Sequence, residues 1–497
     1  MSRDQWLFQK SSALADEDER ISTLNEIKDY LTSLPQNEAA QSAQLLQMPL
    51  LFDCLNDSNT EQIDLACEVL SLCLGTLNLG ESTNRFTVPL ERALKHPHSQ
   101  VKIMALKDIQ RNIVNDELMS NFCKHVPLFS MAIECIGNDD LAVATLACDI
   151  ITTIGVSENS VKALLSNEMQ VVLRDVMNKN EVVRLRVFEV FINISRKSET
   201  SQNILESSGF LSQILQDLDN NDILLRMNII ELLSQLGTCE HGYNYLERNG
   251  VMAKLCKQLS SEDALFIQLC EPGVLRFFGQ LAYWKPNDIV SKYVSILHRI
   301  CSNIDSDNST IVGVSIDTIG HIAETNEGKI ALNSLDVMSK LLPSIVEKLN
   351  KLPNELKIRA LNCLENIIQV NTNDGRVTAI TKKWYSCLEE NPIEFILKYA
   401  KNPFSEIRIA GLGILNALAT QVWGQEVIKN APGLLEFLLD RNSETIKECK
   451  ELNFEIVKKL STSEIFSHEV NLRLQAFVKE GPFYVEGITE VAIEGVD

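Results

Sequence analysis

The sequence lacks the cysteine spacing of a zinc site and the charge balance of a nucleic-acid-binding protein. Its 13 cysteines include no Cys-x-x-Cys pair, and Cys67, Cys148 and Cys363 lie within apolar helical runs. We therefore expect small core residues in a reducing compartment, and neither disulfides nor metal ligands. Lysine and arginine total 46 against 67 acidic residues, a formal charge of −21. Because phosphate binding needs a basic footprint, this excess of acid predicts no nucleic-acid ligand but allows a basic protein partner.

Long apolar runs and catalytic motifs are missing too. No run of about 18 apolar residues is present, and residues 1–20 lack the apolar core of a signal peptide, so no membrane association is expected. Gly328-Lys329 is not part of a phosphate-binding loop, and neither a Gly-x-Ser-x-Gly turn nor a zinc-protease helix occurs. Only a Cys/His pair assembled from distant positions stays open. These absences favour a cytoplasmic protein, also present in the nucleus, that is not an enzyme and needs no cofactor.

What the sequence does contain is a repeated helical unit. Residues 209–250 hold an apolar-periodic run, an Asp/Asn turn at 219–222, a second amphipathic run from Leu224 and a break at Gly237. The turn and the second run recur about every 40–44 residues, which is the period of HEAT and armadillo repeats. The copies of this second run begin at Ile63, Val101, Val143, Val183, Leu224, Leu265, Ile311, Leu356, Ile407 and Thr445.

Strand patterns are absent, and several prolines fall between the helical runs. We expect an all-α fold, an armadillo/HEAT-type α-solenoid of about ten repeats whose core grows by stacking. Residues 1–35 are expected to form an N-terminal helical cap, residues 36–463 the solenoid, and residues 464–497 a C-terminal cap and tail. Pro272 is expected to split or offset the helix of the sixth copy, because proline removes a backbone donor.

The helix after each turn carries a polar stripe between two apolar flanks. At about 100° per residue, Glu189 and Asn193 fall between Val190 on one side and Ile192 on the other. Since residues four apart share a face, stacked helices would present two rows along a concave surface. The polar row comprises Arg111, Thr153, Asn193, Gln235, Gln280, His321 and Asn366. The acidic row comprises Asp149, Glu189, Glu231 and Asp317.

Two interpretations fit these rows. They form a groove that binds a basic protein partner through amides and acids, or they are simply the polar face that any exposed helix shows. The pattern itself leaves both open.

Longer segments of the chain resemble a known family. They are residues 96–103, 272–282 and 313–320, together with the Glu480-Gly-Pro-Phe-Tyr-Val485 tail and Glu494-Gly495. In collinear order over essentially the whole chain, they resemble the armadillo/HEAT-type family of proteasome base assembly chaperones. The family offers no binding motif that transfers to individual residues, so the site candidates rest on the two rows.

The resemblance implies a chaperone for assembly of the base of the 19S regulatory particle of the 26S proteasome. It implies binding to the C-terminal domain of regulatory ATPase subunits, together with the non-ATPase scaffold subunit 2, and dissociation before the particle matures. We expect the free chain to be monomeric. The alternative is an armadillo-type adaptor for a basic peptide or nuclear-import cargo, although the four tryptophans form no ladder paired with asparagine.

Overall fold

The computed structural model describes residues 3–260, 264–371, 374–441 and 444–484. Over these ranges every regular element is a helix, so the predicted all-α class is confirmed. The chain divides into two compact units, Met1–Asn249 (unit 1) and Gly250–Asp497 (unit 2). Among the described residues, no helix combines the length and the apolar composition that crossing a bilayer requires. The part of the predicted tail from Val485 onward, with Glu494-Gly495, lies outside the described residues.

Unit 1 is built from triplets in which two shorter helices precede a longer one. Its α-helices are α1 (Arg3–Ala13), α2 (Arg20–Ser33), α3 (Gln36–Leu45), α4 (Met48–Asp53), α5 (Thr60–Gly75), α6 (Glu81–Arg85), α7 (Thr87–Lys95), α8 (Ser99–Arg111), α9 (Asp116–Lys124), α10 (Val126–Glu134), α11 (Leu141–Val156), α12 (Glu158–Leu164), α13 (Asn167–Met177), α14 (Glu181–Lys197), α15 (Glu199–Ser207), α16 (Phe210–Gln216), α17 (Ile223–Leu236) and α18 (Glu240–Arg248). The longer helices, which we call third helices, are α5, α8, α11, α14 and α17. Each packs against the next, while α7, α10 and α13 form a parallel layer of second helices.

Unit 2 is built from triplets of the same kind. Its α-helices are α19 (Val251–Leu259), α20 (Ala264–Trp284), α21 (Pro286–Lys292), α22 (Val294–Ser302), α23 (Ser309–Ile322), α24 (Asn326–Ser334), α25 (Met338–Leu349), α26 (Asn354–Ile368), α27 (Gly375–Ser386), α28 (Pro392–Ala400), α29 (Ser405–Leu418), α30 (Val422–Asn430), α31 (Leu434–Leu439), α32 (Lys447–Ser461) and α33 (His468–Glu480). Its third helices are α20, α23, α26, α29 and α32, each packed on its neighbour. Stacked triplets of this kind are an armadillo-type solenoid, as the repeat period predicted.

Asx residues explain where the third helices begin. Asp222 Oδ1 accepts hydrogen bonds from the backbone N–H groups of Leu224 and Leu225, at 2.9 and 3.2 Å. These N–H groups have no partner inside the helix, so the side chain supplies one. The same cap precedes other third helices, at Asn59, Asp140, Asn180 and Asn308. At these five helices the polar turns are therefore start signals, whereas α8, α26, α29 and α32 begin without a side-chain cap.

Burial on two flanks holds each third helix in its layer. On α14, Val187, Phe191 and Ile194 are wholly buried, and so is Ile192 on the other flank, whereas Glu189 is exposed. Burying such a side chain contributes about 1.5–3 kcal/mol. The helix therefore leaves one narrow polar stripe in water, as its sequence periodicity predicted.

The expectation for Pro272 was wrong. Helix α20 runs from Ala264 to Trp284 with Pro272 inside it. The Glu271 carboxylate, just before the proline, accepts hydrogen bonds from Arg299 Nε and Nη2 at 2.5 and 3.0 Å. Phe277 and Phe278, further along the same helix, are wholly buried. An internal proline costs about 3 kcal/mol, which burial of several large side chains along one helix offsets.

Candidate partner-binding surface

In unit 1 the acidic row lies on three consecutive third helices. Asp149, Glu189 and Glu231 are exposed on α11, α14 and α17. Among the described residues none of the three has an ion-pair partner within unit 1. Without an ion-pair partner in this unit, the three carboxylates are available to cationic groups of a partner.

The polar row of unit 1 follows one turn further along the same helices. Thr153, Asn193 and Gln235 are half-buried. Thr153 Oγ1 donates a hydrogen bond to the Asp149 carbonyl oxygen at 2.8 Å, so this hydroxyl is directed back into its own helix. The amides of Asn193 and Gln235 are the members of this row with both a donor and an acceptor to offer a partner.

Arg111 takes a different role from the rest of the polar row. Its Nη1 donates to the Leu77 carbonyl oxygen at 3.0 Å and its Nη2 to the Leu74 carbonyl oxygen at 2.6 Å. Nη2 also lies 3.2 Å from Oδ1 of the buried Asp108. Because the carbonyls at a helix end have no partner within the helix, Arg111 caps the end of α5 and joins α8 to it.

Replacing Arg111 by methionine is expected to lower the free energy of unfolding of unit 1 by about 2–4 kcal/mol. The change leaves the Leu77 carbonyl oxygen without its donor and removes the cation beside the buried Asp108, at about 1–3 kcal/mol each. Urea unfolding followed by circular dichroism measures the loss. Arg196→Met is the control, since Arg196 is exposed on α14, and a change within about 0.5 kcal/mol is expected. Unchanged stability of the Arg111 variant, with weaker partner binding, would make Arg111 a contact residue instead.

In unit 2 the acidic row is tied into the packing between third helices. Arg359 of α26 donates through Nε to Asp317 Oδ1 at 2.9 Å, and its Nη2 contacts the other carboxylate oxygen. Hydrogen bonding to Asp317 raises the pKa of the Arg359 guanidinium further, against the effect of burial. Asp317 is therefore already paired, whereas Gln280 of α20 is half-buried.

His321 and Asn366 converge on one carboxylate at the ends of α23 and α26. Asn366 Nδ2 donates to Glu324 Oε1 at 3.3 Å, and His321 Nδ1 lies 3.4 Å from the same oxygen. The ring of Tyr283 stacks on His321, with centroids 4.3 Å apart. The group opens on a cleft of about 480 Å³ that is lined by Tyr283, Glu324, Thr325, Asn326, Glu327, Asn366, Gln369 and Asn371.

A buried lysine supports this cleft from beneath. The Lys329 side chain is wholly buried, and its Nζ donates to the Asn366 carbonyl oxygen at 2.7 Å and to that of Ala323. Burial lowers the pKa of Lys329 to about 8, and the charge of Glu324 counters part of this effect. The lysine thereby ties the ends of α23 and α26 together, and this fixes the position of Asn366.

The cleft residues Tyr283, Glu324 and Gln369 were not among the sequence candidates. Glu324 lies three residues after His321 and Tyr283 three after Gln280, so both are neighbours of a predicted position on a helical surface. Extending the rows by one turn toward the C-terminal ends of the third helices would have found them.

Catalytic chemistry gains no support from the Cys/His pair of unit 1. Cys239 Sγ lies 3.3 Å from His241 Nε2, but the same nitrogen is 2.6 Å from the Ser195 carbonyl oxygen. A nitrogen that donates to a carbonyl cannot also take the proton of a thiol. Burial raises the pKa of the Cys239 thiol as well, which disfavours the thiolate. Within the residues the structure covers, no three His, Cys, Asp or Glu side chains group closely enough to hold a metal ion.

Comparison with known proteins identifies the family. A family model described as proteasome non-ATPase 26S subunit matches residues 3–497. The chain belongs to this family. The 26S proteasome non-ATPase regulatory subunit 5 of Bos taurus is 31% identical over 487 residues, covering 96% of both chains. The Homo sapiens protein of the same name is 31% identical over 488 residues with the same coverage, and that of Drosophila melanogaster is 26% identical over 99% of this chain and 98% of its own. The resemblance inferred from the sequence is confirmed.

Two of the segments that carried the resemblance, residues 272–282 and 313–320, hold glycines at contacts between third helices. A Cβ at Gly279 of α20 would lie 2.5 Å from Thr318 Cγ2 of α23, and one at Gly320 would lie 3.0 Å from the Cys363 backbone of α26. Glycine is needed where helices approach this closely. These family features therefore preserve the solenoid, and the partner-binding chemistry has to be sought on the exposed stripes.

Proposed function

We propose that this chain is an assembly chaperone for the base of the 19S regulatory particle of the 26S proteasome. It binds the C-terminal domain of regulatory ATPase subunits, in a module with the non-ATPase scaffold subunit 2, and dissociates before the mature particle forms. The observation that carries the proposal is family membership over residues 3–497, with relatives named as a non-ATPase regulatory subunit of the proteasome. That membership gives the chain a proteasome-related role.

The site chemistry supports binding in place of catalysis. Three exposed acids without ion pairs on α11, α14 and α17, and the two amides beside them, suit a partner with basic and polar groups. The cleft bearing Glu324 and Glu327 suits such a partner as well. The formal charge of −21 adds a long-range attraction to such a partner. A solenoid that covers one face of an ATPase subunit hinders its docking onto the 20S core by bulk alone. The proposed place of action is the cytoplasm, and the nucleus as well.

The import-adaptor alternative loses support from the placement of the tryptophans. Trp384 and Trp423 are buried on α27 and α30, which are first helices of their triplets, and Trp6 lies on α1. A peptide groove that stacks on tryptophan needs the rings exposed along the third helices. The chain has no such series, although its acidic row would still attract a basic peptide.

Affinity capture from cytosol with the tagged full-length chain tests the proposal. Mass spectrometry is expected to find base ATPase subunits and the scaffold subunit 2 without 20S core subunits. Recovery of whole 26S particles would contradict dissociation before maturation, and recovery of import cargo would favour the adaptor.

Gel filtration tests direct binding. The purified chain is mixed at micromolar concentration, without nucleotide, with the isolated C-terminal domain of an ATPase subunit. Co-elution is expected, because the proposed contact needs no nucleotide chemistry. Separate elution of the two proteins for every base ATPase would count against the chaperone proposal.

A further inference from the structure

Unit 1 exposes a large apolar residue in the first turn of three consecutive third helices. Leu141 of α11, Val182 of α14 and Leu224 of α17 are 68%, 60% and 60% exposed. We call these three residues the apolar row. A single exposed apolar side chain needs no explanation, but recurrence at the same level of three packed helices makes a patch.

The apolar row runs beside the acidic row. Val182 precedes Glu189 by seven residues, and Leu224 precedes Glu231 by seven. Seven residues are about two helical turns, so both members of each pair face the same way, about 10 Å apart along the helix axis. On α11 the position seven before Asp149 is Ala142, and Leu141 stands one residue earlier, about 100° around the helix axis.

Arg186, the arginine that precedes Glu189 on α14, makes no ion pair with it. Arg186, which lies between Val182 and Glu189 on α14, donates through Nη1 to the carbonyl oxygens of Ile136 and Asn138, at 3.1 and 2.9 Å. Its side chain is directed to the loop before α11, and Glu189 stays without an ion pair among the described residues. The surface therefore presents an apolar strip with a negative strip alongside, and its complement is an apolar strip with a positive strip alongside.

We propose that this surface docks one α-helix of the partner, laid across α11, α14 and α17, with apolar residues about seven apart and lysine or arginine on one flank. Packed helices lie about 8–10 Å apart. At 1.5 Å per residue, a crossing helix takes about one heptad to pass from one third helix to the next. Its width of about 10–12 Å also covers both rows at once, which a single extended strand does not. The inference rests on the proposed function, since it names the part of the ATPase subunit that unit 1 recognises.

Peptides test the spacing without any ATPase subunit. The probes are a synthetic three-heptad helix, with leucine at every seventh position and lysines beside it, and a peptide of identical composition with leucine at every fifth position. Fluorescence anisotropy with the full-length chain is expected to show at least tenfold tighter binding of the heptad peptide. Val182→Gln with Leu224→Gln is expected to abolish that preference. Equal binding of the two peptides to the unchanged chain would overturn the inference.

A matched pair of variants tests whether the apolar row also binds the C-terminal domain of an ATPase subunit. Val182→Gln/Leu224→Gln is expected to weaken its binding at least tenfold, with an unchanged salt dependence because no charge is altered. Val88→Gln/Val171→Gln is the control, since these valines are 54% and 56% exposed on second helices α7 and α13, and it is expected to bind normally.

The outcomes separate this inference from the proposed function. If the C-terminal domain binds and the apolar-row variant leaves its affinity unchanged, the docking helix is wrong and the chaperone proposal stands. If no ATPase domain binds but the peptide preference holds, the chaperone proposal fails and the surface stands.

Discussion

Replacing Glu189 and Glu231 together by lysine is expected to weaken binding to the C-terminal domain of an ATPase subunit by about tenfold to a hundredfold. The two exposed acids lie on neighbouring third helices and have no ion pair among the described residues. Reversing them turns attraction of a basic partner into repulsion, worth about 1–3 kcal/mol in total for charges that stay partly hydrated. The ratio between the affinities of the unchanged and variant chains should shrink as salt is raised, because the Debye length falls from about 10 Å at 0.1 M to about 3 Å at 1 M.

The control variant changes the net charge of the chain by the same amount, but on second helices instead of third helices. Glu134 of α10 and Asp175 of α13 are exposed on second helices, and their joint replacement by lysine is expected to change the affinity only slightly. Equal weakening by both double variants would mean that only overall charge matters. Unchanged affinity of the Glu189/Glu231 variant would remove the acidic row from the contact surface and leave the fold assignment intact.

Replacing Arg408 by methionine is expected to lower the free energy of unfolding of unit 2 by about 3–5 kcal/mol. Arg408 Nε and Nη2 donate to the two oxygens of Glu444 at 2.7 and 3.2 Å, and Nη1 donates to the Asn402 carbonyl oxygen at 2.6 Å. The two side chains are only 16% and 9% exposed. Removing Arg408 leaves the buried Glu444 carboxylate with backbone N–H donors but no cation, which is the costly way to break such a pair.

Urea unfolding followed by tryptophan fluorescence measures this loss, because Trp284, Trp384 and Trp423 lie in unit 2 and Trp6 alone lies in unit 1. Arg376→Met is the control, since Arg376 pairs with Asp374 at 3.3 Å on the surface, and a change of at most about 1 kcal/mol is expected. Arg408→Met/Glu444→Met should be more stable than Arg408→Met alone, because no buried charge is left. Equal effects of the two single arginine variants would show that the Arg408 pair contributes no more than a surface pair.

Lowering the pH should reproduce part of the loss of stability that Arg408→Met causes. Burial raises the pKa of Glu444, but the Ile446 backbone N–H and Arg408 outweigh it, so the pKa lies below its ordinary value. The pair therefore contributes fully above the ordinary carboxylate pKa and its contribution is lost as the pH falls through the folded value. Below that pH, Arg408→Met should lose less stability relative to the unchanged chain.

Local signals were enough to predict most of the fold. Third helices are capped by the Asx turns at Asn59, Asp140, Asn180 and Asp222. The hydrogen bonds of these caps span only two or three residues, so neighbouring positions in the sequence are enough to predict them. The polar stripe of α14 was predictable for the same reason, because helical periodicity alone decides which residues share a face. Pro272 shows the limit of such rules. Its cost is local, while the burial that outweighs it comes from other helices.

The members of the two rows differ in ways that no single helix reveals. Arg111 and Asp317 stand in register with Asn193 and Glu189, yet the first caps α5 and the second pairs with Arg359 of the next third helix. These partners lie about one repeat away in sequence, and only stacking brings them within hydrogen-bonding distance. Stacking also forms the cleft, where the Glu324 carboxylate contacts one side chain from α23 and one from α26.

The sequence by itself determined the all-α class, the repeat period, the starts of the third helices and the family, because each depends on residue order along the chain. The tertiary structure decided which polar residues bond to other helices and which stay available to a partner, since that depends on neighbours one repeat away. It also decided that Val182 and Leu224 are exposed, although their apolar character alone would place them in the core. An apolar residue in the first turn of a helix is buried only if another helix covers that turn, and within unit 1 nothing covers these two residues fully.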